Sequence, residues 1–313
     1  MNFLSTLPWG QILLFLHTLL VLACAVRVLY QQRNTGTAFA WLIILFVFPL
    51  FGVIAYFILG EPRLGMARAQ RTAQMNQFYG RFVERYLSDI DLDITHNIRP
   101  RYRGIAKVAA DATGLGATKN NAMTLLATTD DILAAMLKDI EAAQQSCLLA
   151  FYIIEPQGKI ETLLQAVIQA AQRGVNCIIL ADAVGSSHFF RSRWIRTLRH
   201  AGVQVHTALP VGILKTLFTR SDLRNHRKLL IIDKKIGYTG SYNLVDPQYF
   251  KQDSGVGEWV DVMMRCTGPM VLEMMAVFYA DVAVENDDNL TGVQQYLSNY
   301  VEVIPALLPE KLQ

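Results

Sequence analysis

The sequence predicts an α/β protein in which a layered domain, with a mostly parallel sheet and helices on both faces, follows a two-helix transmembrane hairpin. Three observations support this prediction. Two long apolar stretches lie within the first 60 of the 313 residues. Apolar runs of strand length then alternate with helical patterns, which is typical of a sheet with parallel strands. The composition is 52% hydrophobic and only 18% charged, so we expect some apolar sequence outside a water-facing core.

The membrane hairpin is predicted from the two apolar stretches. The first extends from Gln11 to Tyr30 with Arg27 as its only charge, and the second, residues 38–60, has no charge at all. As a helix the second would be about 35 Å long, enough to cross a hydrocarbon core of roughly 30 Å. A cleaved signal peptide is the alternative for the first stretch. No Lys or Arg precedes Arg27, however, and such a peptide normally begins with positive charge.

The distribution of arginines predicts the orientation of this hairpin. Arg27 and Arg33 lie near the turn between the stretches, whereas Arg63, Arg68 and Arg71 follow the second stretch. Positive charge marks the cytoplasmic side of a membrane protein. We therefore expect a multi-pass protein whose N-terminus and main domain lie on the cytoplasmic side.

The rest of the chain divides into segments of different character. We expect a membrane anchor in residues 1–62, a polar connector in 63–125, the layered domain in 126–290 and a C-terminal tail in 291–313. Within the layered domain, Thr128-Thr129-Asp130-Asp131 is an N-terminal capping cluster for a helix, and Gly174 and Gly202 suit helix C-termini. The predicted elements are a helix after Thr128, strands at Cys147–Ile154, Val175–Leu180 and Val203–His206, and helices at Lys159–Arg173 and His188–His200.

Two further predicted strands carry the residues that are best suited to catalysis. A strand over 226–233 would place His226 and Lys228 on one face, because side chains alternate along a strand. A turn and a returning strand over 236–240 would bring Ser241 and Asn243 to the same place. An imidazole, an ammonium, a hydroxyl and an amide would then meet at one spot.

This set of groups suits the cleavage of a phosphate ester. Neutral imidazole is a competent nucleophile, and Lys228 and Asn243 can donate to phosphate oxygens whose charge must be stabilised. Asp233 lies an odd number of positions from His226, so the spacing predicts that it makes the turn or orients another group. The sequence has no carboxylate cluster that would hold a metal, and we expect no metal or other cofactor.

On its own, an H-x-K sequence would indicate only an exposed basic strand edge next to an ordinary turn, with no role in chemistry. Here, however, the full pattern is H-x-K-x4-D-x6-G-S-x-N, with six fixed residues. It resembles the HKD motif of the phospholipase D superfamily. The apolar front, with Trp41 and the segment 48–56, resembles the membrane segment of bacterial cardiolipin synthases. The resemblance covers residues 10 to about 285.

This resemblance implies a two-step phosphatidyl transfer. His226 would attack the phosphorus of phosphatidylglycerol to give a phosphohistidine, with Lys228 and Asp233 completing the motif. A second lipid, phosphatidylglycerol or phosphatidylethanolamine, would then accept the phosphatidyl group. Family members carry two HKD motifs, whereas none of the other five histidines here has a lysine two residues later. The chain is therefore expected to be an N-terminal half that needs a second HKD half, or to form a homodimer.

Several secondary predictions remain. Glu258 and Asp261 are possible acids for orienting His226, and Glu155 ends an apolar strand where it could reach the site. Two alternative functions stay open: a catalytically impaired membrane protein, and a single-motif dimeric phosphodiesterase or nuclease. A net charge of +3 gives no reason to expect nucleic acid as a partner.

Overall fold

The computed structural model describes residues 9–30, 35–60, 98–113, 116–209, 224–251, 253, 255 and 257–285. They divide into two compact units, one with the N-terminal helices and one with the sheet. Some predictions fall outside the described residues, namely those for Arg33, Arg63, Arg68, Arg71, most of the connector and the tail.

The N-terminal unit is a small cluster of apolar helices. Its elements are α1 (Trp9–Tyr30), α2 (Thr35–Val47), α3 (Pro49–Ala55) and a π-helical turn (Tyr56–Gly60). The second predicted span is therefore not one continuous helix. It is interrupted at Phe48, because the ring of Pro49 disfavours helical dihedrals at the residue before it.

Apolar packing joins α1 to the two helices that follow. Val21, Cys24 and Val28 are buried together with Leu45, Val53 and Tyr56. Much of the remaining apolar surface of α1 is exposed, as expected for a lipid-facing helix. Among the described helices, α1 alone is both long and apolar enough to cross a membrane. The predicted hairpin is thus shown in part.

The second unit is built on one seven-stranded sheet. Its strands are β1 (Ala122–Leu126), β2 (Ser146–Phe151), β3 (Asn176–Asp182), β4 (Gln204–Ala208), β5 (Lys228–Ile232), β6 (Ile236–Gly240) and β7 (Met263–Thr267). The strand order is β1-β7-β6-β5-β2-β3-β4. Strand β1 begins inside the segment that was predicted to be a connector.

The prediction of a mostly parallel sheet is wrong in its strand directions. Only β2–β3 and β3–β4 are parallel, while β1–β7, β7–β6, β6–β5 and β5–β2 are antiparallel. The apolar runs of β2 and β5 reflect burial on both faces of the sheet, and burial is the same for either strand direction. The sheet is therefore mixed.

Helices cover both faces of this sheet, as predicted. The helices described in this unit are α4 (Pro100–Thr113), α5 (Thr129–Ala142), α6 (Lys159–Gln172), α7 (Ser187–Arg191), α8 (Trp194–His200) and α9 (Met270–Glu285). One core contains side chains of α5, α6 and α8 against Leu149 and Leu230. The other contains α9 against Leu148 and Ile231. Successive side chains of one strand thus enter opposite cores.

Local signals explain several helix boundaries. The hydroxyl of Thr128 accepts a hydrogen bond from the backbone N–H of Asp131, 3.1 Å away, as an N-cap should. Gly174 and Gly202 have φ of 93° and 90°, which only glycine adopts easily. The helix predicted at His188–His200 is instead divided into α7 and α8, and the hydroxyl of Ser192 accepts from the N–H of Trp194 at the break.

Candidate active site

The candidate site lies at one edge of the sheet, where four chain segments meet. Strand β5 is antiparallel to both β2 and β6, so the start of β5 lies beside the ends of its two neighbours. His226 precedes β5, Tyr152 follows β2, and Ser241 follows β6. The loop after β3 joins the same edge, because the hydroxyl of Ser186 donates to the carbonyl of Tyr152 at 3.0 Å.

His226 and Lys228 are held together around the ring of Tyr152. The imidazole of His226 lies edge-to-face with that ring, with centroids 4.2 Å apart. The ammonium of Lys228 lies 5.7 Å from the centroid of the same ring and donates to the backbone carbonyl of His226 at 2.8 Å. His226 is exposed, and within the described residues neither of its ring nitrogens has a hydrogen-bond partner.

The position of Tyr152 is fixed from its other side by the loop after β3. A Cβ atom at Gly185 would lie 2.3 Å from the Tyr152 carbonyl oxygen and 2.9 Å from its ring. Glycine is therefore required where this ring packs. The backbone N–H of Tyr152 also donates to the carbonyl of Arg227 at 3.1 Å, which connects the end of β2 directly to the HKD segment, residues 226–243.

Asn243 is a buried donor at the same edge. Its side-chain oxygen accepts from the N–H of Ile153 at 3.1 Å, which leaves its NH₂ group as the available donor. Among the described residues no acceptor contacts that NH₂ group. Ser241 is exposed, and its hydroxyl accepts from the N–H of Val262 at 3.1 Å. The structure thus brings Ser241 and Asn243 to the edge that also carries His226 and Lys228.

Asp233 lies at the opposite end of β5. Its carboxylate accepts backbone hydrogen bonds from Gln144, Gln145 and Ser146 at 2.7–2.9 Å, just before β2 begins. Asp233 and Lys234 have φ of 50° and 59° in the turn between β5 and β6, a conformation that Asp tolerates better than most residues. This position gives Asp233 a turn-making role and keeps it away from the imidazole.

The two candidate orienting acids act on different groups. The carboxylate of Asp261 raises the pKa of Lys228, while burial of the ammonium has the larger effect and lowers that pKa overall. Glu258 instead lies near Lys159 and contributes to raising the pKa of that side chain, whose main cause is its hydrogen bond to Asp130. Neither acid is hydrogen-bonded to His226 in the described part of the chain.

A cavity of about 320 Å³ lies beside these acids. Its polar lining includes Lys159, Asp246, Glu258 and Asp261, and Trp259 forms part of its apolar wall. The carboxylate of Asp246 accepts the backbone N–H of Lys159 at 2.9 Å and so caps α6. Within the described residues no group of three or more His, Cys, Asp or Glu side chains could hold a metal ion.

Sequence reasoning missed two features of this edge. Tyr152 is one; an aromatic residue directly after the buried run of β2 was the available signal. The other is a hydrogen bond between the side chains of Glu155, which follows β2, and His188 in α7. Glu155 was predicted to reach the site, and its carboxylate instead contacts His188. This contact could not be predicted, because the two residues are 33 positions apart and no local pattern joins them.

Comparisons with known proteins show which family models and relatives this chain matches. Residues 136–255 match the family described as "Cardiolipin synthase, PLD-like domain", and residues 19–61 match the family "Phospholipase_D-nuclease N-terminal". Cardiolipin synthase A of Erwinia tasmaniensis is 37% identical over 97% of this chain and 64% of its own length. Cardiolipin synthase A of Edwardsiella ictaluri is 40% identical over 89% of this chain and 57% of its own length.

The chain spans about three fifths of the length of these curated relatives. The matched regions include both the apolar helices and the HKD segment. Residues 136–255, which contain the segment from His226 to Asn243, therefore match a PLD-like domain of the cardiolipin synthase type, and most of the chain is similar to the curated cardiolipin synthases A.

Proposed function

We propose that this chain supplies a nucleophilic half-site for phosphatidyl transfer between membrane phospholipids, as in cardiolipin synthesis. The proposal depends on one observation above all: the open imidazole of His226 shares an edge with the ammonium of Lys228 and the free amide donor of Asn243. A nucleophile next to two donors suits attack on a phosphodiester. The name of the curated relatives, cardiolipin synthase A, supports cardiolipin as the product.

In the first step, a ring nitrogen of His226 attacks the phosphorus of phosphatidylglycerol. A phosphorus–nitrogen bond forms, and the bond from phosphorus to the headgroup glycerol breaks. The departing glycerol oxygen takes a proton from a general acid. Lys228 and Asn243 donate to the non-bridging oxygens, whose charge must be stabilised during displacement. Division of one displacement into two steps is the advantage of a covalent intermediate.

In the second step, the headgroup hydroxyl of another phosphatidylglycerol attacks the phosphohistidine. Its proton returns to the group that acted as acid, the phosphorus–nitrogen bond breaks, and cardiolipin leaves. The net reaction converts two phosphatidylglycerol molecules to cardiolipin and glycerol. We assign the polyol headgroup to the polar cavity lined by Lys159, Glu258 and Asp261, because the carboxylate of Asp261 also acts on the ammonium of Lys228.

We infer that the general acid is a histidine from a second HKD half or from a second copy of this chain. The imidazole of His226 acts as the nucleophile and cannot protonate the leaving group in the same step. A twofold pair of copies would place two such histidines in one site. Either arrangement would operate at the bacterial inner membrane, with the sheet domain on the cytoplasmic side.

The test is to express the chain in membranes that contain labelled phosphatidylglycerol. It is expressed alone and together with the remaining C-terminal part of Erwinia tasmaniensis cardiolipin synthase A. We expect labelled cardiolipin and glycerol in at least one arrangement, and their loss with His226→Ala. A His200→Ala variant is the matched control, because His200 is exposed on α8 away from the HKD segment.

No cardiolipin in either arrangement would contradict the proposal. Hydrolysis of DNA or of a soluble phosphodiester by the wild-type chain, without lipid transfer, would favour the nuclease or phosphodiesterase alternative instead. A dimer that makes cardiolipin alone would identify the second copy as the source of the acid.

A further inference from the structure

Helix α4 has an apolar face that the sheet domain leaves exposed. Tyr102, Ile105 and Val108 follow one another at a spacing of three, which places them along one side of the helix. Their exposed fractions are 46%, 71% and 69%. Ile105 and Val108 are thus largely in contact with solvent in a protein whose other described sheet-domain helices bury apolar side chains.

Such a helix is poorly stabilised in water by itself. It has 14 residues, close to the length at which isolated helices are marginal, and Gly104 in its interior weakens it further. No atom lies within 4 Å of where a Cβ of Gly104 would be, so that glycine is not needed for close packing here. In proteins most helix stability comes from burial of an apolar face. Burial of the apolar face of α4 against a partner would therefore stabilise this helix.

The charges of α4 indicate which partner fits. The helix contains three basic residues, Arg101, Arg103 and Lys107, against one acidic residue, Asp111. Arg103 and Lys107 lie on the side away from Ile105, whereas Arg101 lies on the side of Ile105, in the first turn, with its guanidinium 4.6 Å from the ring centroid of Tyr102. An apolar face with two cations opposite it, and a long arginine at its end that can reach the headgroups, is typical of helices that lie in the surface of an anionic bilayer.

The same chain offers independent evidence for a bilayer close to this domain. Helix α1 has the length and composition to cross a membrane, so the chain is held at a lipid surface. We propose that α4 lies flat in the interface of an anionic bilayer, with Ile105 and Val108 inserted among the acyl chains and the cations at the level of the lipid phosphates. The proposal does not depend on catalysis by His226.

The test uses the full chain with a fluorescent probe at one position. The four natural cysteines, Cys24, Cys147, Cys177 and Cys266, are all buried, so a thiol-reactive nitrobenzoxadiazole reports mainly an introduced cysteine. Ile105→Cys places the probe on the apolar face. Lys107→Cys is the matched control, since it lies roughly 200° around the helix at about 100° per residue. Both positions are exposed, so neither substitution disturbs the core.

Each labelled protein is reconstituted into vesicles of phosphatidylglycerol with phosphatidylcholine, and into vesicles of phosphatidylcholine alone. Iodide in the buffer and doxyl-labelled lipid then measure exposure of the probe to water and to acyl chains. In the anionic vesicles we expect iodide to quench the probe at position 105 at least about threefold less than the probe at position 107, because the apolar face of such a helix lies roughly 5–10 Å below the headgroup boundary. Doxyl lipid should quench the probe at position 105 more strongly.

Three results would overturn the proposal. The first is equal iodide quenching at positions 105 and 107 in anionic vesicles. The second is protection of position 105 from iodide without quenching by doxyl lipid, which would mean that protein covers this face. The third is the same insertion in vesicles without phosphatidylglycerol, which would remove the role of charge. Arg101→Gln together with Lys107→Gln, in the protein labelled at Ile105→Cys, should raise iodide quenching towards its value in phosphatidylcholine.

Discussion

Two opposing effects determine the pKa of the Lys228 ammonium. Burial lowers its pKa, and the carboxylate of Asp261 partly reverses the effect. Below this lowered pKa the side chain is charged and can donate to a phosphate oxygen. As pH rises through the pKa, the proton is lost and the donor weakens. Transfer activity should therefore decline at a lower pH than the usual lysine pKa of about 10.4 would allow.

Asp261→Asn tests this assignment, because it removes the charge that raises the pKa of Lys228. We expect the alkaline limb of the kcat/KM–pH profile to move to lower pH. Glu258→Gln is the control: it also neutralises a carboxylate lining the cavity, but its charge acts on Lys159. A limb that stays in place or moves upward in Asp261→Asn would show that Lys228 does not control it.

Tyr152 is expected to position both His226 and Lys228 through its ring. Tyr152→Phe keeps the ring and should retain nearly full kcat, whereas Tyr152→Leu should lower kcat by on the order of tenfold or more, since small displacements of reacting groups are costly. KM should change little in both. The measurement is kcat per folded protein, with folding checked by circular dichroism. An equal loss in the Phe and Leu variants would argue against a role for the ring.

At the residue scale, the sequence predicted the reactive groups better than their surroundings. Strand alternation and the returning hairpin were enough to bring His226, Lys228 and Asn243 to one edge. The contact of Tyr152 with Gly185 could not be predicted, because it joins loops after two different strands. Long-range packing of this kind has no local pattern in the sequence.

Asp233, in the turn between β5 and β6, is hydrogen-bonded to the backbone around the start of β2. Asp233→Ala removes the acceptor for three backbone N–H groups and a residue suited to positive φ. We expect the free energy of unfolding to fall by about 1–3 kcal/mol. Asp233→Asn keeps one acceptor oxygen and the turn preference, so its loss should be smaller.

Urea unfolding followed by tryptophan fluorescence measures this difference. At low temperature the folded fraction of either Asp233 variant should still form an adduct on His226. Loss of the adduct in a variant of unchanged stability would instead show a direct part in the chemistry for Asp233.

At the scale of elements, helix caps and buried strands could be predicted from the sequence, but the direction of the strands could not. Thr128 and Gly174 define helix ends by local chemistry, which the sequence contains directly. The apolar runs of β2 and β5 specify burial on both faces, which is independent of direction. The strands β1 and β7, each five residues long, are too brief to show a clear period.

At the scale of the whole molecule, an apolar helical unit and a mixed-sheet domain occur in one membrane-associated chain. Membrane attachment restricts the domain to two dimensions, where its proposed lipid substrates are concentrated. The sequence indicated this organisation through hydropathy alone. The break at Phe48 followed from Pro49, but neighbouring helices can compensate for proline in a membrane, so its effect was not predictable from hydropathy.

The central claim is a covalent phosphatidyl adduct on His226. The direct measurement is mass spectrometry of the active membrane preparation after brief exposure to phosphatidylglycerol, with quenching at alkaline pH. We predict an acid-labile phosphatidyl group on the peptide that contains His226, present in His200→Ala and absent in His226→Ala. Cardiolipin formation with no adduct on His226, or undiminished formation by His226→Ala, would contradict the account.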